Sequence, residues 1–128
     1  MSLRGVVLDE LRKAGRIAMT GSRYFGTEGL YSDWDYYTGD MAVMKRAMEL
    51  GFVDCKSSYT LDEFTTKVYW SEELRIHLQF TPHFDVRMLA HNVIREANLM
   101  RFVKGKVRER TVWRVTQAIL LAQSHSAL

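Results

Sequence analysis

TGSRYFGTEGLYSDWDYYT, residues 20–38, joins two patterns. Its second half, Ser32 to Thr38, alternates acidic and aromatic side chains with the period of two that marks a strand. Asp33 and Asp35 therefore leave the same face with Cα atoms about 7 Å apart, close enough to share a hard divalent cation. Trp34 and Tyr36 point the other way, into a core. Its first half follows a brief apolar run, Arg16 to Thr20, which reads as a strand ending at Gly21-Ser22. A helix or turn beginning at Arg23 would aim backbone N–H groups outward as an anion site. Gly21 would let a phosphate approach the backbone, and the Ser22 hydroxyl would donate to a phosphate oxygen. A phosphate cradle beside a carboxylate pair is the equipment of phosphoryl or nucleotidyl transfer, which depends on positioning and on neutralising charge with Mg²⁺.

Working outward, residues 4–14 place Val7, Leu8 and Leu11 on one face of a short helix closed by Gly15. Asp40 is an acidic N-cap for a helix over Met41 to Leu50, with Val43, Met44, Ala47 and Met48 inward and Gly51 at C′. Thr66 to Trp70 and Leu74 to Phe80 read as a hairpin turned at Ser71-Glu72-Glu73, and Phe52 to Lys56 as a further strand. Pro82 stops the sheet. The remainder is helical, with one stripe at Leu89, Val93, Ala97 and Met100 and another at Val112, Val115, Ile119 and Ala122. The expected class is α/β or α+β: a small mixed sheet flanked by helices, with a helical C-terminal third. One domain over residues 1–128 is expected, the sheet and motif in 16–80 and the helical tail in 84–124.

Charge divides along the same line. Residues 1–83 hold 10 basic and 12 acidic side chains and residues 84–128 hold 8 and 3, so a net +3 resolves into −2 and +5. Arg101, Lys104, Lys106, Arg108, Arg110 and Arg114 form a basic run with Phe102 and Trp113 available for stacking. It reads either as a contact for a phosphate backbone or triphosphate, or as a solvated face. The single Cys excludes a disulfide framework, a multi-cysteine zinc module and CxxC redox chemistry; Cys55 reads as a small buried hydrophobe in a cytoplasmic protein. Export and membrane insertion are not expected, since the longest apolar run is Ala118 to Ala122 and the N-terminus turns charged early. Walker-type, GxSxG, HExxH and GxGxxG motifs are absent.

A strand ending in Gly21-Ser22, a ten-residue spacer, then Asp33-Trp34-Asp35 resembles the signature of the DNA-polymerase-β-like nucleotidyltransferase superfamily. Gly21-Ser22-Arg23-Tyr24-Phe25-Gly26 with Ser32-Asp33-Trp34-Asp35 is similar to its small members, the minimal nucleotidyltransferases of toxin–antitoxin pairs and phage-encoded proteins. The resemblance implies that Gly21 and Ser22 contact a nucleoside triphosphate and that Asp33 and Asp35 hold Mg²⁺ or Mn²⁺. Arg23 would be a phosphate clamp or an ordinary surface arginine.

Family members carry a third acid on a later strand, and here the pattern departs. The alternate positions of the Leu74 to Phe80 strand are Arg75, His77 and Gln79. Either His77 takes the third catalytic position, as a general base whose ring suits Mn²⁺ or Zn²⁺ better than Mg²⁺, or Asp54 supplies the acid, or the site is impaired. The implied activity is transfer of a nucleoside monophosphate from an NTP to a hydroxyl on a protein, nucleic acid or small molecule. The alternative is a degenerate fold that serves as a nucleotide-, nucleic-acid- or protein-binding module. The apolar circumference of the Val112 to Leu121 helix suits a homodimer or simple burial.

Overall fold

The computed structural model describes residues 2–26, 28–55, 67–102 and 106–126, which divide into two compact units, Met1–Pro82 and His83–Leu128. The first begins with α1 (Leu3–Ala14), where the Ser2 hydroxyl caps the helix by accepting from the Gly5 N–H at 3.1 Å. Then come β1 (Ile17–Thr20), α2 (Gly21–Phe25), β2 (Trp34–Thr38), α3 (Met41–Glu49), β3 (Val53–Asp54), β4 (Lys67–Ser71) and β5 (Ile76–Phe80). The strands form one mixed sheet in the order β1-β2-β5-β4-β3. Only the β2–β5 pair is parallel; the other three are antiparallel. The mixed α/β class expected from the sequence is what the chain adopts.

One face of this sheet carries the core. Val7, Leu8 and Leu11 of α1 and Val43, Met44 and Ala47 of α3 pack with Tyr36, Tyr69, Ile76 and Leu78, and Trp34 joins from its margin. Full burial of each Val, Leu, Ile or Met side chain among them stabilises by about 1.5–3 kcal/mol. The opposite orientations expected of the Asp33/Asp35 and Trp34/Tyr36 pairs follow from this packing. α3 ends in a Schellman turn: the Gly51 N–H donates to Met48 O at 3.1 Å and the Phe52 N–H to Ala47 O at 3.0 Å. Gly51 has φ +94°, which glycine takes without a Cβ penalty, and Phe52 then drops into the core beside Ala47.

Three expectations are corrected in this unit. Met48 is 58% exposed, because the core takes only the Val43, Met44 and Ala47 edge of α3. Asp40 occupies the N-cap position without capping; its Oδ2 instead accepts from the Arg16 N–H at 2.7 Å, tying the start of β1 to the start of α3. Cys55 is partly exposed rather than buried; desolvation, and secondarily the Asp54 charge, push its thiol pKa up, which disfavours the thiolate.

The second unit holds α4 (Phe84–Glu96), a short 3₁₀ turn (Leu99–Phe102) and α5 (Lys106–Ser126). The buried face of α4 is Phe84, Arg87, Ala90, His91 and Ile94. Leu89, Val93 and Ala97 face solvent, and of the expected stripe only Met100 is buried. On α5, Val115 and Ile119 are each 53% exposed, Ala122 is exposed and Gln117 is buried. Both stripes were placed by hydropathy, and the inward faces include Arg87, His91 and Gln117, which hydropathy assigns to water. The Nδ1–H of His91 donates to Arg87 O at 2.7 Å, and burial lowers its pKa to about 3, so the ring is neutral. Among the described residues no helix is long and apolar enough to cross a membrane.

Candidate functional site

The insertion of β5 beside β2 builds the site. Register pairs Thr20 with Asp35, Asp35 with His77, His77 with Trp70 and Trp70 with Val53, one row across all five strands on the face opposite the α1 and α3 core. His77 Nδ1 lies 3.3 Å from Asp35 Oδ1 and 3.8 Å from Asp33 Oδ2. The aspartates two positions apart thus share a face, and the histidine stands against both. Their side chains are 30% (Asp33), 24% (Asp35) and 17% (His77) exposed, a partly sheltered cluster still open to solutes.

Gly21 closes the cluster from the β1 side. Its φ is +73°, and a Cβ built there would run into the Asp35 carboxylate, so only glycine lets the β1–α2 junction approach so closely. α2 begins at Gly21, two residues earlier than the expected start at Arg23, and Ser22 is its second residue. From the other side comes the β4–β5 turn, Glu72 to Arg75. Arg75 is left-handed at φ 55°, its carbonyl accepts from the Trp34 N–H at 2.9 Å, and its Nη2 donates to Asp33 Oδ1 at 2.6 Å. Trp70 lies against His77 with ring centroids 4.2 Å apart, and its Nε1–H donates to Glu72 at 2.8 Å. The Arg75 guanidinium sits 5.7 Å from the Trp70 ring centroid. Contacts therefore close a ring through His77, Trp70, Arg75 and Asp33, with Asp35 joined to it at His77.

No protein-family model, curated protein or solved structure matches the chain. What the site can do rests on its own geometry.

Gly21, Asp33, Asp35 and His77 are brought together; Asp54 and Arg23 are not. Asp54 lies on β3, the edge strand away from β1, in register with Tyr69 of the opposite row. Three strand spacings of about 4.8 Å put it some 14 Å from β2. Arg23 lies on the Trp34 side, its guanidinium 4.0 Å from that ring's centroid and its Nη2 donating to Ser32 O at 2.7 Å. It braces the segment that delivers Asp33. Lys104 lies outside the described residues, as do the side chains of Arg101, Phe102, Lys106, Arg108, Arg110 and Trp113; Arg114 is exposed on α5. In the sequence Arg75 stands out only as a non-acidic neighbour of His77, and Trp70 carries no site signal of its own. Both were findable, Arg75 by its parity with His77 and Trp70 as its partner across the hairpin.

Among the described residues no three His, Cys, Asp or Glu side chains form a ready-made metal site. The donor set is two carboxylates, hard oxygen ligands of the kind a divalent cation takes, and such a cation would need its remaining ligands from elsewhere. A third ligand from His77 would favour Mn²⁺ over Mg²⁺. Asp33 is already held by Arg75, so a cation entering there competes with a guanidinium.

Proposed function

We propose that this face binds a nucleoside triphosphate with a divalent cation and transfers its nucleoside monophosphate to a hydroxyl acceptor. The observation that carries the reading is the parallel register of β2 and β5, which sets His77 against Asp33 and Asp35 beside the close approach of Gly21. It agrees with the resemblance of residues 16–38 to small nucleotidyltransferases. Asp33 and Asp35 would hold Mg²⁺ or Mn²⁺, and the cation would neutralise charge on the phosphates. Gly21 and Ser22 would border the triphosphate. The acceptor oxygen forms a bond to the α-phosphorus as the bond to the bridging oxygen breaks and pyrophosphate leaves. His77 would take the acceptor's proton, its Nδ1–H turned toward Asp35 and Nε2 the basic atom.

A second reading, a nucleotide-binding module without turnover, is favoured by one observation: among the described residues the side chain that stands against Asp33 and Asp35 is His77, not a third acid. Incubation with α-labelled NTPs, Mg²⁺ or Mn²⁺ and candidate acceptors separates the two. Label transfer abolished by Asp33→Ala plus Asp35→Ala supports the enzyme. Saturable nucleotide binding without transfer supports the module, and transfer that survives the double substitution refutes the assignment.

A further inference from the structure

We infer that Arg75 is an internal counter-ion that makes the carboxylate pair admit a divalent cation together with a polyanion in preference to the bare cation. The inference rests on the proposed metal–nucleotide reading and adds to it a residue that sets the order and coupling of binding.

Three observations carry it. Arg75 Nη2 reaches Asp33 Oδ1 at 2.6 Å, the shortest of the ion pairs in this site, so one of the two carboxylates is already neutralised. Backbone geometry delivers the side chain to this edge of the pair: Arg75 closes the β4–β5 turn at φ 55°, and its carbonyl is bonded to the Trp34 N–H between the two aspartates. Its side chain is nonetheless 51% exposed, so it can turn away from Asp33 without unburying itself. A free dication competes with this cation for Asp33 and meets repulsion from it. A cation carrying phosphates brings anionic oxygens that the released guanidinium can bind, so the lost Asp33 contact is replaced. A guanidinium is suited to both partners, because its planar fork matches carboxylate and phosphate alike.

The coupling has a reciprocal form: whatever the nucleotide gains from the cation, the cation gains from the nucleotide, and removing Arg75 should weaken both. Mn²⁺ binding is read directly from the loss of the free Mn²⁺ electron-paramagnetic-resonance signal, without any turnover, for the full chain and for Arg75→Gln, Arg75→Lys and Asp33→Asn plus Asp35→Asn. Circular dichroism checks that each variant is folded; Arg75→Lys keeps the charge should Arg75→Gln prove unstable. We expect Arg75→Gln to bind Mn²⁺ alone about fivefold more tightly than the parent, the scale of an exposed ion pair. Arg75→Lys should fall between them. With a non-hydrolysable ATP analogue present, the advantage of Arg75→Gln should vanish or reverse. Equal Mn²⁺ affinity in the parent and both Arg75 variants, with binding lost in the double aspartate variant, would overturn the counter-ion while leaving the metal site standing. No Mn²⁺ binding by parent or Arg75→Gln, with or without nucleotide, would overturn both.

Discussion

His77 on β5 and Asp35 on β2 are register partners on adjacent parallel strands, Nδ1 to Oδ1 3.3 Å apart. Nothing local in the sequence joins them, since they are 42 positions apart and meet only because β5 inserts between β2 and β4. If His77 is the proton acceptor, His77→Ala should lower kcat about 100-fold or more, within the usual range for general-base loss, and leave nucleotide KM nearly unchanged. Steady-state kinetics with labelled NTP checks it; an unchanged kcat would remove His77 from the reaction.

His77→Asp restores an acid at that position and makes a different prediction. Three carboxylates then converge with Arg75 as their nearest cation, so the variant should melt lower than the parent in EDTA and gain more from Mg²⁺. Thermal shift with and without metal measures this directly. A melting temperature indifferent to Mg²⁺ would argue that the carboxylates do not converge on one ion.

Gly21→Ala should be among the costliest single changes in the first unit. It forces a side chain into the left-handed region, at about 1–2 kcal/mol, and drives a methyl group into the Asp35 carboxylate. Denaturant unfolding should show a loss of at least about 2 kcal/mol, whereas Gly26→Ala, which meets no atom within 4 Å, should lose only the backbone part.

Stability should also fall with acid through His91. Its folded pKa is depressed to about 3 by burial, so the unfolded chain binds the proton more readily. The stabilisation from the neutral ring is complete above the ordinary histidine pKa near 6.5 and is lost as pH drops from there toward 3. The slope is about 1.4 kcal/mol per pH unit for this one group. Denaturation midpoints at pH 7.5 and 4.5 for the parent and His91→Gln isolate it: the parent should lose more than the variant by roughly 2–3 kcal/mol. Equal losses would mean that the ring is not buried neutral.

Much of the first unit was legible because its signals are local. The Val7, Leu8 and Leu11 spacing, the Gly51 stop and the alternation around Asp33 and Asp35 each fix an element through its own residues. The third member of the site was not legible, because choosing between Asp54 and His77 requires the strand order, which is set by packing across the whole sheet. Met48 misleads for a simpler reason: methionine is apolar enough to pass for core on the edge of a helix. α4 failed differently, since a face built on Arg87 and His91 beside Phe84 and Ile94 has no clean hydrophobic period, and Leu89 and Val93 offered a better one on the wrong side. Leu78→Ala, at a fully buried position, should cost about 2–5 kcal/mol, while Met48→Ala should stay within about 0.5 kcal/mol.

The central claim is that Asp33 and Asp35 form a single metal-dependent nucleotide site. Isothermal titration of a non-hydrolysable ATP analogue into the protein with Mn²⁺ tests it most directly, in the parent and in Asp33→Asn plus Asp35→Asn. Saturable binding at one nucleotide per chain, abolished by EDTA and by the double substitution, is the predicted result. Binding of equal affinity in the double variant, or no binding by the parent, would contradict it.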